Sequence, residues 1–343
     1  MKTKHLKLQS YKNKYISLLC AFCMVSVSLW GCSLPFDQNA LTIRDTIIAF
    51  DTVVTITLYG TDDTDILQEA MDLCRDYDKL FSRTIPESDV YRINHANGQA
   101  VTVSPETILL IKESLFYSEL TKGAVDITIA PVRDLWDFSS QSTGETVPAL
   151  PDDTALSQAL AHVNYQCIQY DESAGTVTLT DPEAQIDLGF IAKGYIADAL
   201  KEYLIFRGIT SATIDLGGNI LTIGTKPDGT PFQIGIKKPF ENGTPMDVLS
   251  ITDQSVVTSG IYERCFQIDD VIYHHILDPE TGYPVSNELL SVTIISDSSM
   301  EGDALSTTCL LLGLSKAQEL ISSLDGVEAV FITKDYEIID TRL

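Results

Sequence analysis

Positive charge is scarce in this chain. Its 343 residues carry 23 Lys and Arg against 48 Asp and Glu, a net of −25. Five of the cations, Lys2, Lys4, Lys7, Lys12 and Lys14, fall in the first 31 residues, which hold no acid. Without that segment, 18 cations face the same 48 acids, a net of −30. A surface of that sign repels nucleic acid and anionic lipid headgroups, so nucleic acid is not an expected partner. An anionic ligand would need a bound cation or local dipoles to offset the field.

Several familiar signatures are also missing. There is no Walker loop and no G-x-G-x-x-G fingerprint, which leaves out the commonest nucleotide-binding frameworks. Of seven cysteines, Cys20 and Cys23 lie in the N-terminal apolar stretch and Cys32 follows it; Cys74, Cys167, Cys265 and Cys309 are widely spaced, with no CxxC among these four. That excludes a zinc ribbon and disfavours a disulfide framework, and isolated buried thiols are the better reading. No internal repeat and no low-complexity tract appears. After residue 31 no apolar run is long enough to span a bilayer.

Residues 1–31 read as a signal peptide, with a basic start and the apolar core "YISLLCAFCMVSVSLW" (15–30). "LWGCS" then places Leu29 and Gly31 before Cys32 in the manner of a bacterial lipobox, with Trp30 bulkier than usual. The reading preferred here is lipidation at Cys32 and attachment to the cell membrane on its extracytoplasmic side. An ordinary cleaved signal or a single-span anchor is the plainer alternative. Residues 32–46 read as a tether, and 47–343 as the folded domain, with "QSTGETVPALPDD" (141–153) a possible subdomain boundary.

Hydrophobic content of 44% with 21% charged residues suits a packed core. "TVVTITLYG" (52–60) reads as a strand, and "DILQEAMDLCRDYDKLF" (65–81) as an amphipathic helix. Ser104-Pro105 opens a helix to about Leu120. Short β-like runs follow at 176–180, 212–216, 232–236, 247–252, 265–268, 290–295 and 328–333, with helices near 191–207, 303–313 and 315–324. Short strands with few helices predict an α+β fold with mixed, mainly antiparallel sheets.

The segment "EGDALSTTCLLLGLS" (301–315) raises a chemical question. Asp303, Ser306, Thr307 and Leu310 share one face of a helix that is apolar or small nearly all round. A carboxylate buried there needs a cation. Four other segments carry polar residues among glycines: "KGAVDITIAPVRDLWDF" (122–138), "IDLGFIAKGYIADAL" (186–200), "DLGGNI" (215–220) and "TSGIYERCF" (258–266). A fifth, "YHHILDPETGYPV" (273–285), holds His274, His275 and Asp278. Each alone is weak: Gly217-Gly218 suits a hairpin turn, Lys193 a solvated helix, and the two histidines satisfied structural positions. The helix entry at 189–194 says more. Its amides and Lys193 would make a rare positive spot, fit for a phosphate.

In this order, and with "FDTVVTITLYG" and "LFSRTIPESDVYRIN" (80–94), the segments resemble the ApbE family of bacterial flavin transferases. The match runs from about Phe50 to the C-terminus, and members are typically membrane lipoproteins. The resemblance implies a Mg2+-dependent enzyme that splits the pyrophosphate of FAD. FMN passes to a Thr or Ser of an acceptor protein bearing a D-(G/S)-x-(S/T)-G-(A/S)-T motif, and AMP leaves. It implies Asp303, Thr307 and the backbone of Ser306 as Mg2+ ligands, completed by the Phe190 carbonyl. It places Ala124, Val125, Asp126, Asp187 and Lys193 on FAD, with Phe50 and Thr84 as weaker contacts. Tyr262, Arg264 and Leu277 would line the pocket, and His275 would be the general base. A His near its free pKa of about 6.5 suits that task. Three positions depart from the family pattern: Phe190 stands for a usual Gly, Phe50 for a Met at the start of the first strand, and Val125 for an aromatic. No segment matches the acceptor motif; "DESAGTVT" (171–178) lacks the hydroxyl before its Gly. Rival readings are an FAD pyrophosphatase, which would use the same site with water, and a flavin-binding lipoprotein without chemistry. A transporter solute-binding lipoprotein would need two βαβ-type lobes, which the pattern lacks.

Overall fold

The computed structural model describes residues 41–138, 147–241 and 243–342. The expected signal, Cys32 and most of the tether lie outside these residues, as does much of the 141–153 segment. From Leu41 onward the chain forms one compact unit. Its strands in chain order are β1 (Thr42–Ala49), β2 (Thr52–Tyr59), β3 (Val101–Thr102), β4 (Ile168–Asp171), β5 (Thr176–Leu179), β6 (Ala212–Leu216), β7 (Asn219–Ile223), β8 (Phe232–Ile236), β9 (Asp247–Ile251), β10 (Ser255–Gly260), β11 (Cys265–Ile268), β12 (Val271–His274), β13 (Leu289–Ser296), β14 (Glu328–Thr333) and β15 (Ile338–Asp340). The helices are α1 (Thr64–Phe81), α2 (Asp89–Asn94), α3 (Pro105–Leu120), α4 (Ala130–Trp136), α5 (Asp153–Leu160), α6 (Ala192–Phe206), α7 (Ser299–Leu312) and α8 (Leu314–Ser322).

Among the described residues eight strands make the main sheet, in the order β1-β2-β6-β7-β10-β13-β14-β15, with every neighbouring pair antiparallel. The fold is α+β, as the sequence predicts. Strand β13, "LLSVTIIS", is buried along its whole length, which explains its apolar and small side chains without a polar face. Helices α6 and α7 pack on each other, α6 against β6 and β7 and α7 against β10 and β13. A second, smaller core gathers Val132, Trp136, Phe138, Leu156, Phe266 and Leu277. It lies under the loop that follows His275, and the Trp136 indole donates to the Gly282 carbonyl at 2.8 Å.

The last residues of the expected tether belong to the sheet. β1 pairs with β2 from Thr42↔Tyr59 to Ala49↔Thr52. As an edge strand with mostly exposed alternation it carries polar residues such as Arg44 and Asp45, which hid it from a hydrophobic pattern. Phe50 accordingly does not begin a strand. Phe50 and Asp51, at φ 54° and 55°, are both left-handed and form the two-residue turn of the β1–β2 hairpin. Such turns favour Asn-Gly. Asp tolerates that conformation, but a bulky residue such as Phe50 costs about 1–2 kcal/mol there, so the surroundings must hold it. Asp78 accepts from the Phe50 amide at 3.2 Å, and the Asp51 carbonyl accepts from Arg264 at 3.2 Å. Gly217-Gly218 is the β6–β7 turn, and at Gly217 (φ +67°) a Cβ would stand 1.9 Å from Thr52 Oγ1.

The contact between α6 and α7 depends on one residue. A Cβ on Gly194 would lie 2.2 Å from the Ser299 carbonyl oxygen and 2.6 Å from Met300 Cα, both backbone. Asp198, one turn on, caps α7 by accepting from the amides of Ser299 and Met300 at 2.8 and 3.0 Å. Gly194→Ala is expected to push the helices apart and cost about 3 kcal/mol, read as a lower urea midpoint at unchanged slope.

Candidate functional site

Asp303 sits in the middle of α7 at 2% exposure, and its cation is Lys193. The ammonium stands 3.1 and 3.2 Å from the two carboxylate oxygens, and the Gly194 amide donates to Oδ2 at 2.9 Å. Burial raises the carboxyl's pKa, opposed by Lys193 and the Gly194 amide. Because that amide serves Asp303, it does not close a helical turn onto Phe190, four residues earlier. The Phe190 carbonyl is left at the open start of α6, while its ring stands edge-on to Tyr117 at 6.2 Å. The bulky side chain therefore turns into the core.

Thr307 follows Asp303 by one turn, and its hydroxyl contacts Ser259 Oγ at 3.0 Å. The Ser306 carbonyl lies inside the continuous helix α7, where the helical bond to the Leu310 amide uses one of its two lone pairs. The buried Ser306 hydroxyl donates to the Asp303 carbonyl at 2.9 Å.

A carboxylate, a threonine hydroxyl and a free carbonyl make an all-oxygen donor set. Among the described residues no group of three His, Cys, Asp or Glu could hold a metal. Oxygen donors with a single carboxylate suit a hard cation such as Mg2+, which keeps much of its water, and not zinc. The Lys193 ammonium touches both oxygens and the Gly194 amide holds Oδ2, so a cation here would share the carboxylate with Lys193. The residues present thus fit Mg2+.

The segment from Asp187 to Gly194 joins this corner to a second one. Asp187 accepts from the Gly189 amide at 2.8 Å, pairs closely with Arg133, and has Arg83 at 3.6 Å. Burial would raise its pKa, but Arg133 and Arg83 outweigh it and hold the carboxyl at about 2. Arg133 also faces Asp51, in the hairpin turn bonded to Arg264. Arg83, Arg133 and Arg264 thus gather about Asp187 and the hairpin turn, with Arg83 also paired to Asp134 at 2.7 Å. No spacing or motif in the sequence marks Arg83 and Arg133; the signal that points to them is the scarcity of cations in the chain.

His275 stands against this cluster. Its amide donates to the Arg264 carbonyl at 3.1 Å. Its Nδ1 is enclosed without a partner, which leaves Nε2 as the accessible ring nitrogen. The expectation of a pKa near 6.5 is corrected: burial, then Arg264, His274 and Arg133, push it down to about 3. The ring is neutral at any working pH.

Other expected residues take quieter places. Asp126 accepts from the Thr128 amide (2.8 Å), the Thr128 hydroxyl (2.6 Å) and the Tyr165 amide (2.8 Å), and burial raises its pKa. It pins the loop carrying Ala124 and the core residue Val125. Leu277 is packed in the smaller core, so its side chain is not at the site. Thr84 is exposed and bonds Ser82 at 3.1 Å. Tyr262 lies over Gly260, its ring 5.9 Å from Phe240 and 5.2 Å from the Lys237 ammonium. Burial raises its hydroxyl to about 12.

A family model described as "ApbE family" matches residues 50–331. A Klebsiella pneumoniae protein named FAD:protein FMN transferase is 38% identical over 288 residues, 83% of this chain and 87% of that protein. A Treponema pallidum protein of the same name is 34% identical, covering 79% of this chain and 78% of that one. Among solved structures, the ApbE protein of Thermotoga maritima superposes with TM-score 0.78 at 31% identity, over 88% of this chain and 97% of that one. Flavin transferase ApbE from Vibrio cholerae gives 0.77 at 26% identity, over 88% and 96%.

Proposed function

The chain belongs to the ApbE family, and on that premise we propose that it is an FAD:protein FMN transferase, Mg2+-dependent and anchored at the extracytoplasmic membrane face through Cys32. The acceptor's Thr or Ser oxygen bonds to the FMN phosphorus of FAD. The bond from that phosphorus to the bridging oxygen breaks, and AMP leaves with the oxygen. The acceptors carry the D-(G/S)-x-(S/T)-G-(A/S)-T pattern. The observation that carries the reading is a buried Asp303 paired with Lys193, joined through residues 187–194 to Asp187 and its arginines, Arg133 and Arg83, with His275 bonded through its backbone to Arg264.

Asp303, Thr307 and the Phe190 carbonyl would hold Mg2+, which supplies positive charge to the pyrophosphate oxygens. Arg264, Arg133 and Lys193 hold the same anion in a chain that otherwise repels it. His275 Nε2 takes the acceptor proton. Its low pKa describes the site without an anion; a pyrophosphate beside the ring favours imidazolium and raises it, so base strength rises when substrate binds.

The test is incubation with FAD, Mg2+ and an acceptor domain bearing the motif. Covalent flavin on the acceptor with equimolar AMP is expected; free FMN alone makes the chain a pyrophosphatase. His275→Ala should lower transfer by about 10²–10⁴-fold with FAD still bound. Full transfer by that variant would remove His275 from the role.

A further inference from the structure

Ser259, near the end of β10, touches Ser306 Oγ at 2.8 Å and Thr307 Oγ1 at 3.0 Å. Counting protons fixes the direction of both contacts. Each hydroxyl owns one proton. Ser306 spends its proton on the Asp303 carbonyl. Between Ser259 and Ser306, therefore, only Ser259 can donate. Its single proton is then used, so Thr307 must donate to Ser259. The three protons run one way, from Thr307 through Ser259 and Ser306 to the Asp303 backbone. The Thr307 lone pairs are left facing away from Ser259.

We propose that Ser259 is a positioning residue for the cation site: it holds the Thr307 proton on the inner side and so presents that hydroxyl's lone pairs to a divalent cation. The inference rests on the reading of Thr307 as a Mg2+ ligand. Without Ser259, the Thr307 hydroxyl can rotate. It can donate to the Asp303 carbonyl four residues back, as Thr308 does to Ala304 at 2.7 Å, or turn its proton toward the cation.

The experiment is a calorimetric Mg2+ titration with saturating ADP, a pyrophosphate that has no flavin to transfer. Ser259→Ala should fold, with a melting temperature lower by only a few degrees for the two hydrogen bonds lost, and bind Mg2+ about tenfold or more weakly, as loss of a group orienting a ligand does. Ser259→Thr keeps the hydroxyl and should restore most of the affinity. If Ser259 acts through Thr307, the double variant Ser259→Ala/Thr307→Ala binds no more weakly than Thr307→Ala alone. Wild-type affinity in Ser259→Ala, or losses that add in the double variant, overturns the proposal while leaving Thr307 a ligand. Wild-type affinity in Thr307→Ala instead overturns the ligand reading and the proposal with it.

Discussion

Asp303→Asn should abolish most Mg2+ binding and lower AMP release by about a hundredfold or more, the equivalent of roughly 3 kcal/mol of lost charge stabilisation. Asn is the informative choice because of what Asp303 does besides. Its carboxylate joins α7 to α6 through the Gly194 amide and Lys193. Asn keeps an oxygen for the amide and loses only the charge. The Lys193 side chain is 25% exposed, so its released ammonium reaches water. Stability should therefore fall by only about 1–2 kcal/mol, against more for Asp303→Ala, which also strands the buried amide. The two losses are separable by urea unfolding beside a Mg2+ titration. Full AMP release at wild-type Mg2+ affinity in a folded Asn variant would remove Asp303 from the metal site.

The same residue shows what the sequence made legible. Helical spacing put Asp303 and Thr307 on one face, and burial implied a cation; the structure supplies one, Lys193, which sequence reading had placed on the ligand instead. Runs with regular alternation, such as β6 and β8, are legible in the sequence to the residue. Missed elements had weak patterns for physical reasons. β1 is an edge strand with charged side chains, and β12 is a short half-exposed ladder. The Phe50-Asp51 turn carries only one residue type that favours it, Asp51, and a bulky Phe before it; contacts from Asp78 and Arg264, far away in sequence, support it. Arg83, Arg133 and Ser259 escaped for the same reason. Their partners, Asp187 and Thr307, lie between 48 and 104 positions away, and spacing shows only what is local.

Acid should destabilise the protein from about pH 6.5 downward, well before ordinary carboxylates titrate, and His274 should account for a measurable part. His274 is 4% exposed; its Nε2–H donates to the Val285 carbonyl at 3.1 Å, and Nδ1 has no partner. Burial pushes its pKa down to about 4, from about 6.5 in the unfolded chain. Above pH 6.5 the ring is neutral in both states and its contribution is intact. Below that, the unfolded chain takes the proton first, and stability falls until the folded ring also titrates near 4. By pH 4.5 the loss from His274 is about 2–3 kcal/mol, at up to about 1.4 kcal/mol per pH unit. His275, held at about 3, acts with the same sign and extends the window downward. Asp187, at about 2, adds its loss only below about pH 4. Asp126, Asp198 and Asp303, all raised by burial, act in the opposite sense, so the bare pH curve mixes signs. A difference isolates the histidine: His274→Gln keeps a donor for Val285 and removes the titration. Urea midpoints at pH 7.5, 6.0, 5.0 and 4.5 should converge as pH falls, the variant being less stable at neutral pH and losing less toward 4.5. Parallel curves would mean that His274 is protonated in the fold or that its site opens to water, and burial would then not govern its charge.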